Sequence, residues 1–566
     1  SNRKNTRVVG LYYCQEEPFN LEDGTNNERT YLILCMKSSM TIFRDIFSNY
    51  KEWVLVVGIL VVSFVVFFEQ IHVPVFFPDV DEAIYAQSAL ESIQNKTPFI
   101  PIWYGDPFFD KPPLGYLIIQ SGYKIFGENT FGARAGVAFT GVLAMIIFYY
   151  LGKEFFGRKL IAFFAVLALL ATDSMYFHVF RSADFDGPLL LFFLLALWMY
   201  IKSWKSSKYF VLVGVFFALA VLTKGAAAFP AILILGIHWI FLKGWKVIPL
   251  KYILSSVLLF LGITVPWHWW MFSLYGQEFW NVYIGHHVVA RVGENIGFSE
   301  NSSPFWYLSQ MSQYFWPWIW ALPVVVYFVV KNFKFNDKLG RWILIALWAL
   351  GFVGIYSVAQ TRLFWYIAPV YPLLALALVA TAVKTWSQKS WHRGEVFALS
   401  ATALIMMWAA PWWKTGWIGS LNSTGLLEIL LHPFVIGTLI WGAVSLVLYL
   451  IVNKSSDSER QKNQGRLWLL FFTMLLGGLL VSRLFQLTVM YPYESSSPFF
   501  DAIKNNAKVI VVSKPAYEQS HGLYYYVNKF PKEIVVFVDA VEELGGFKND
   551  FCFFDVASDS LEKLPQ

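Results

Sequence analysis

The sequence predicts an all-α polytopic membrane protein with a small α/β domain at its C-terminal end. Three observations carry this prediction: the hydrophobic fraction, the recurrence of long apolar runs, and a strand-like pattern confined to the last residues. Of the 566 residues, 57% are hydrophobic and only 14% are charged, and the mean hydropathy is +0.50. One soluble core cannot bury that much apolar surface, so the chain must lie in lipid.

Residues 1–50 lack the pattern of a membrane span. They are largely polar and mixed in charge, without a helical or strand period. A segment of this composition does not bury enough apolar surface to offset the entropy of folding. We predict that it is cytoplasmic and disordered.

Residues 51–490 form the predicted membrane domain. Apolar runs of about 15 to 22 residues recur there, each long enough to cross the hydrocarbon core, and there are roughly thirteen of them. The loops between them alternate in charge, and the Lys and Arg clusters fall on one side, which the positive-inside rule makes cytoplasmic. The opposite side holds two large loops, 74–133 and 266–313, which are rich in acids, His and Trp. We expect the functional residues in these outer loops.

Residues 491–566 follow an odd number of spans and are therefore predicted to lie on the outer side. Val509–Val512 and Ile534–Val538 have the composition of buried strands, so a small α/β domain is expected. It contains no phosphate-binding loop and no dinucleotide pattern, so no nucleotide cofactor is predicted.

Charge and cysteine content exclude other classes of function. The net charge of +6 is explained by the positive-inside bias, so we predict no nucleic-acid partner. Cys14, Cys35 and Cys552 are scattered, without the spacing of a disulfide framework or a zinc site.

The first outer loop opens with Asp79, Asp81 and Glu82, and apolar residues at helical spacing follow. These apolar residues are Ala83, Ala86, Leu90 and Ile93. The pattern predicts an amphipathic helix along the membrane surface, with carboxylates in its first turn. Asp79 and Glu82 resemble a capping box, so a structural role could explain both. Asp81 is a candidate for function because an ionisable group at the membrane boundary is costly to keep there.

Asp110 and Lys111 stand before two prolines, in a loop that leads into a second predicted surface helix. That helix is indicated by apolar residues at helical spacing from Leu117 to Ile125. The pair could be a solvated helix start, or Lys111 could bind the phosphate of a lipid headgroup. The spacing leaves both interpretations open.

Other charged residues stand at predicted outer ends of spans. A tight turn carries one cation and two acids, Arg181, Asp184 and Asp186; Lys224 closes span five; Arg362 lies at the mouth of span ten. Structural and functional interpretations of the turn are comparable, whereas an outer lysine is not explained by the positive-inside rule. Adjacent His286 and His287 are a weak signal for a metal site.

These motifs, taken in order, resemble the polyprenyl-phosphate glycosyltransferases related to protein O-mannosyltransferases, especially the bacterial aminoarabinose (lipid A) transferases. The resemblance covers most of residues 70–385. It rests on Asp81-Glu82 with Tyr85-Ala86, Asp110 to Tyr116, Asp186-Gly187-Pro188, Leu222 to Gly225, and Arg362 with Tyr366 and Pro369. It implies a GT-C fold with about thirteen spans, juxtamembrane helices in the first outer loop and an outer C-terminal domain.

The resemblance also implies roles for individual residues. Asp81 corresponds to the catalytic acid/base, with Glu82 and Asp186 as further catalytic candidates. The implied donor-phosphate ligands are Lys111, Arg181, Lys224, Arg362 and Tyr366. Asp110 and His287 correspond to the pair that can hold a divalent metal ion. The chain departs from the family in having Asp110 where Glu is common and Ile84 where Arg is common.

The implied reaction moves a sugar from a polyprenyl-phosphate donor to a hydroxyl or phosphate on a lipid A-like lipid, a glycan or a protein. It would take place on the extracytoplasmic face of the cell membrane, with inversion of the anomeric centre. Such chemistry needs one base for the acceptor and cations for the departing phosphate. A lipid-linked glycan ligase or polymerase and a multi-span transporter are the alternatives. A transporter would have internal repeats and broken midplane helices, and the sequence has no clear sign of either.

Overall fold

The computed structural model of the chain describes residues 52–72, 80–290, 303, 305–316, 318–331, 339–386, 509–513, 535–538 and 551–554. The segment 1–50, most of the chain after 386, and the side chains of His286 and His287 lie outside this description.

Thirteen helices make up most of the described chain. They are α1 (Glu52–Phe68), α2 (Val80–Gln94), α3 (Pro113–Phe126), α4 (Thr130–Phe156), α5 (Lys159–Leu170), α6 (Asp186–Ser203), α7 (Phe210–Lys224), α8 (Phe229–Phe241), α9 (Leu250–Trp280), α10 (Trp306–Tyr314), α11 (Leu322–Lys331), α12 (Leu339–Val358) and α13 (Val370–Trp386).

Several of these helices are long and apolar enough to cross a membrane. Within the described ranges there are five, or six if a bent pair that includes α5 forms one span. The five are Thr130–Phe156, Asp186–Ser203, Ser207–Phe241, Leu250–Gly285 and Gly340–Val358. The helical membrane architecture is therefore present, while the spans predicted beyond residue 386 lie outside the described residues.

The first predicted outer loop contains the two expected short helices. α2 and α3 are joined by a small hairpin in which β1 (Ile102–Trp103) pairs antiparallel with β2 (Asp106–Pro107). α2 buries the apolar face that the spacing predicted, since Ala83 and Ala86 are fully buried. α3 begins at Pro113, since the N–H groups of the first helical turn have no partner within the helix and a proline there loses no hydrogen bond. Gly127 follows its last residue.

α3 packs closely against the start of α4 through glycines. A Cβ atom at Gly122 would overlap the backbone carbonyl of Gly132. α4 begins at Asn129, whose side chain accepts a hydrogen bond from the N–H of Gly132 at 2.9 Å. The glycine contact thus holds α3 against α4.

We expect Gly122→Ala to destabilise the protein by about 1 to 3 kcal/mol, because the new methyl group must push α3 away from α4. Thermal unfolding in detergent would measure this as a lower midpoint. Gly236→Ala is the matched control, since no described atom lies within 4 Å of a Cβ placed there. An unchanged midpoint for Gly122→Ala would contradict the close packing of α3 on α4.

Between α5 and α6 the chain makes a compact, irregular turn. It contains a 3-10 turn (Asp173–Met175) and a π-type turn (Tyr176–Phe180), and α6 starts at Asp186. A Cβ atom at Gly187 would overlap the carbonyl oxygen of Val179, so only glycine lets α6 approach the π-type turn this closely. The turn therefore holds residues 176–186 in one small region.

α9 extends further than the sequence indicated. It passes through Pro266 and continues to Trp280, with a break in helical geometry at Gly276, whose φ is +58°. A π-type segment, Asn281–Ala290, follows it. The start of the predicted outer loop 266–313 is therefore helical, because neighbouring packing can tolerate a proline inside a long apolar helix.

Near the C-terminal end three strands form a parallel sheet in the order β4-β3-β5. β3 is Val509–Ser513, β4 is Val535–Val538 and β5 is Phe551–Phe554. The first two confirm the strands predicted from composition, and the third was not predicted. Parallel strands require crossover connections, which lie outside the described residues. The α/β domain itself stays a prediction.

Candidate functional site

Asp81 lies in the first turn of α2 and is partly buried. One donor atom from each of Asp81, His178 and Asp184 lies within 4.8 Å of the others. His178 and Asp184 are each 1% exposed, and the imidazole Nδ1 is 3.2 Å from the Asp184 Oδ2. We call these three residues the Asp-His-Asp cluster. Three separate segments meet there: the start of α2, the π-type turn and the residues before α6.

The sequence analysis did not identify His178 as a functional candidate. Its φ is +59°, an unusual conformation for a residue other than glycine. The imidazole stacks on the indole of Trp365, with ring centroids 3.5 Å apart and planes 11° apart. Phe364 contacts the ring edge-on at 6.0 Å. The ring is thus held in one orientation. A histidine inside an apolar run of a membrane protein was the signal that could have revealed it.

Glu82, next to Asp81, is fixed by a buried ion pair. Its carboxylate accepts hydrogen bonds from Nε and Nη2 of Arg134 at 2.6 and 3.0 Å, and from the N–H of Ala183 at 2.8 Å. Arg134 also donates to the carbonyl of Ile71 at 2.9 Å. These bonds tie α2 to α4 and to the turn that carries Asp184. They hold Glu82 by side-chain pairing, whereas the sequence suggested a helix cap.

Asp110 and Lys111 form a buried ion pair just before α3. The Tyr85 hydroxyl, one helical turn after Asp81, donates to the Asp110 Oδ2 at 3.3 Å. Tyr116, on α3, is fully buried close by. Burial raises the pKa of the Tyr116 phenol well above its ordinary value, and the Asp110 and Asp81 carboxylates raise it further. Both carboxylates therefore lie near the same tyrosine.

An aromatic cluster supports these polar groups. The Tyr85 ring stacks on Phe185 with centroids 4.1 Å apart, and Tyr116 contacts both rings edge-on, at 4.8 Å from Phe185 and 5.9 Å from Tyr85. A Cβ atom at Gly115 would overlap the Phe185 ring. Since Phe185 stands between Asp184 and Asp186, the aromatic packing fixes the backbone that carries both acids.

A second buried ion pair joins Lys224, at the end of α7, to Asp186, at the start of α6. The Lys224 Nζ lies 5.9 Å from the centroid of the Tyr366 ring. The Asp184 carboxylate also interacts electrostatically with the Lys224 ammonium group. Asp184 thereby connects this pair to the Asp-His-Asp cluster. Tyr116, which lies near both Asp110 and Asp81, connects the other lysine pair to the cluster in the same way.

Arg181 and Arg362 donate to backbone carbonyls. Arg181 bonds the carbonyl oxygens of Val66 and Glu69 at 2.5 and 2.7 Å, at the end of α1. Arg362 bonds those of Ser357 at 2.8 Å and Ser303 at 2.7 Å. The bonds to Val66, Glu69 and Ser357 satisfy carbonyl groups at or near the C-terminal ends of helices. The phosphate-binding role of both arginines stays a prediction.

Of the predicted metal pair, Asp110 and His287, only the Asp110 side chain is among the described residues. Asp110 is paired with Lys111, so a metal ion there would compete with an ammonium group. The side chain of His287 lies outside the described residues. The described residues that best match a metal-binding donor set are instead those of the Asp-His-Asp cluster.

Residues 110–270 match the family described as dolichyl-phosphate-mannose-protein mannosyltransferase. This segment begins at the Asp110–Lys111 pair and includes His178, Asp186 and Lys224. Arg181 and Asp184 also fall within it, whereas Asp81, Glu82, Arg362 and Tyr366 lie outside it.

Curated relatives match over about half of the chain. An uncharacterized protein from Aquifex aeolicus is 25% identical over 299 residues, which is 52% of this chain and 58% of that protein. Undecaprenyl phosphate-alpha-4-amino-4-deoxy-L-arabinose arabinosyl transferases from Pseudomonas fluorescens (transferase 2) and Shewanella sediminis are 24% and 26% identical, over 53% and 55% of this chain. The chain spans only 54% and 56% of these two proteins.

Among solved structures, the fold resembles that of ArnT from Cupriavidus metallidurans. The structure of that protein bound to undecaprenyl phosphate has a TM-score of 0.61 and 21% identity, and the match covers 87% of this chain and 91% of that one. The apo structure of the same protein gives a TM-score of 0.60. Family match, relatives and fold agree: this chain resembles the protein O-mannosyltransferases and the aminoarabinose transferases in sequence, and ArnT in fold.

Proposed function

We propose that this protein is a membrane glycosyltransferase that moves a sugar from a polyprenyl-phosphate donor to an acceptor. The observation that carries the proposal is that two buried lysine–carboxylate pairs lie close to Asp81 and Asp184. These residues offer a base for the acceptor and cations for the phosphate. Sequence relatives whose names specify an undecaprenyl-phosphate-linked sugar support the same class of donor.

Asp81 is the proposed base. It removes the proton from the acceptor hydroxyl while that oxygen attacks the anomeric carbon. The bond between the anomeric carbon and the phosphate oxygen breaks, and the electron pair leaves with the polyprenyl phosphate. A single displacement of this kind inverts the anomeric centre. The Glu82–Arg134 pair acts by positioning, because it fixes the first turn of α2 and so the carboxylate of Asp81.

Lys111 and Lys224 are the proposed phosphate ligands. Negative charge builds up on the phosphate as the glycosidic bond breaks, and a buried ammonium group stabilises it strongly. Each lysine is paired with a carboxylate, Asp110 or Asp186, so that neither cation is buried without a counter-charge before the donor arrives. Arg181, Arg362 and Tyr366 stay as predicted donor contacts around these two lysines.

We further propose that the site faces the extracytoplasmic side, as the charge of the loops predicts. The acceptor is a hydroxyl or phosphate on a lipid A-like lipid, a glycan or a protein. The α/β domain would lie on the same side. A divalent metal ion at Asp110 and His287 also remains a prediction.

The test is a transfer assay with purified protein in nanodiscs. The protein is incubated with a panel of polyprenyl-phosphate sugars with and without candidate acceptors, and released polyprenyl phosphate is followed by mass spectrometry. We expect release that depends on one sugar and on an acceptor. Growth of a multi-sugar chain would identify the ligase or polymerase alternative. Donor binding without turnover of any sugar would favour a transporter.

We expect Lys111→Met to weaken binding of polyprenyl phosphate by about 10- to 100-fold, since a charge-assisted hydrogen bond to phosphate is lost. Native mass spectrometry of the lipid-bound protein would measure this. The single substitution leaves Asp110 without its lysine, so the double variant Asp110→Asn/Lys111→Met provides a charge-balanced comparison. If the double variant is as stable as the unaltered protein and still binds the lipid normally, Lys111 is not a phosphate ligand.

A further inference from the structure

The Asp-His-Asp cluster differs in composition from the ion pairs around it. In the described part of the chain, Glu82, Asp110 and Asp186 each contact one permanent cation at hydrogen-bond distance: Arg134, Lys111 and Lys224. In the cluster, two carboxylates meet one imidazole. Asp184 also interacts electrostatically with Lys224. A histidine between two carboxylates, with His178 and Asp184 each 1% exposed, is a donor set of the kind that holds a metal ion.

The donor set suits a divalent cation. Carboxylate oxygens and imidazole nitrogens are the protein ligands of Zn²⁺ and of Mn²⁺. One atom from each residue lies within 4.8 Å of the others, and the 3.2 Å between His178 Nδ1 and Asp184 Oδ2 is a distance that two ligands of one ion can have. Three protein ligands also leave coordination positions open, which is the pattern of catalytic metal sites.

The surroundings hold the ligands in place. The His178 imidazole stacks on the Trp365 indole, and this contact restricts rotation of the imidazole. Asp184 is fixed through its neighbours, because the Ala183 N–H donates to Glu82 and Phe185 packs against Tyr85. Such outer contacts orient metal ligands and strengthen binding in known metal sites.

We propose that Asp81, His178 and Asp184 form a binding site for one divalent cation, Zn²⁺ or Mn²⁺, with open positions directed to water or to a phosphate oxygen. This site shares no residue with the predicted Asp110–His287 pair. It also does not depend on the proposed transfer reaction, since the cluster would bind the ion in a protein that transfers nothing.

Metal binding is measured on the full-length protein without donor or acceptor. The protein is purified in detergent, stripped with a chelator and titrated with MnCl₂, and free Mn²⁺ is quantified by electron paramagnetic resonance. Zn²⁺ binding is measured in parallel by competition with a fluorescent zinc indicator. We expect one equivalent of metal, with Zn²⁺ displacing Mn²⁺.

Variants identify the ligands. His178→Gln and Asp184→Asn should each weaken metal binding at least about 10-fold, since even outer-contact changes commonly cost that much. His72→Ala, which removes an exposed histidine, and Asp106→Asn, which alters an exposed acid, should leave it unchanged. Thermal unfolding and size-exclusion profiles confirm folding. The inference is overturned if the unaltered protein binds neither metal, or if folded His178→Gln and Asp184→Asn proteins bind as well as it does.

Discussion

Asp81→Asn is expected to lower the rate of sugar transfer by about 10²- to 10⁴-fold, which is the usual contribution of a well-placed general base. The amide keeps the size of the side chain but cannot accept the proton of the acceptor. Because Asp81 is only partly buried, the substitution should leave the fold unchanged. Release of polyprenyl phosphate in nanodiscs, under saturating donor and acceptor, measures the loss.

Asp106→Asn is the matched control, since it alters an exposed acid of the same predicted outer loop, and it should keep full activity. Mn²⁺ binding measured on the same Asp81→Asn sample separates two causes of lost activity. Loss of both is expected if Asp81 is a metal ligand as well as the base, whereas lost transfer with normal metal binding would exclude Asp81 from the proposed metal site. Transfer at the normal rate in Asp81→Asn would rule out the proposed mechanism.

The second large effect is structural. Arg134→Met should destabilise the protein by about 3 to 5 kcal/mol, because it leaves the buried Glu82 carboxylate without its counter-charge. Glu82 is 1% exposed and Arg134 is 2% exposed, so water cannot replace the lost partner. A large fall in the midpoint of thermal unfolding, or loss of the monodisperse peak in size-exclusion chromatography, is expected.

The double variant Glu82→Gln/Arg134→Met tests the cause. The neutral amide still accepts the hydrogen bond from the Ala183 N–H but leaves no buried charge, so much of the lost stability should return. If Glu82 only positions Asp81, the folded double variant should bind the donor with nearly unchanged affinity and transfer the sugar more slowly. A double variant that is no more stable than Arg134→Met would show that charge pairing is not what holds these segments together.

Local sequence patterns predicted the elements better than their contacts. The helical spacing after Asp81 and after Lys111 correctly indicated α2 and α3, because an amphipathic period depends only on near neighbours. Glu82 illustrates the limit of this reasoning. Its position suggested a helix cap, yet its partner Arg134 stands 52 residues away. No local pattern reveals a pairing of that range.

His178 was missed for a related reason. It stands in an apolar run, and its importance becomes visible only when the compact turn brings it to Asp184 and when Trp365 stacks on it. Lys224 was identified as a candidate because an outer lysine is unusual under the positive-inside rule, and Lys111 because a lysine beside a lipid headgroup can bind its phosphate. Asp110 and Lys111 are adjacent in the sequence, so their pairing is local. The pairing of Lys224 with Asp186, 38 residues away, follows only from the fold.

The long-range pairing of Glu82 has a consequence for biosynthesis. Its carboxylate gains the hydrogen bond from the Ala183 N–H only after that residue, 101 positions later in the chain, is in place. His178 likewise gains its stacking partner only after Trp365 has been inserted. While the ribosome is still translating, the early helices therefore enter the bilayer with charged groups that lack their final neighbours. We expect membrane chaperones and quality-control proteases to recognise these partly synthesised chains.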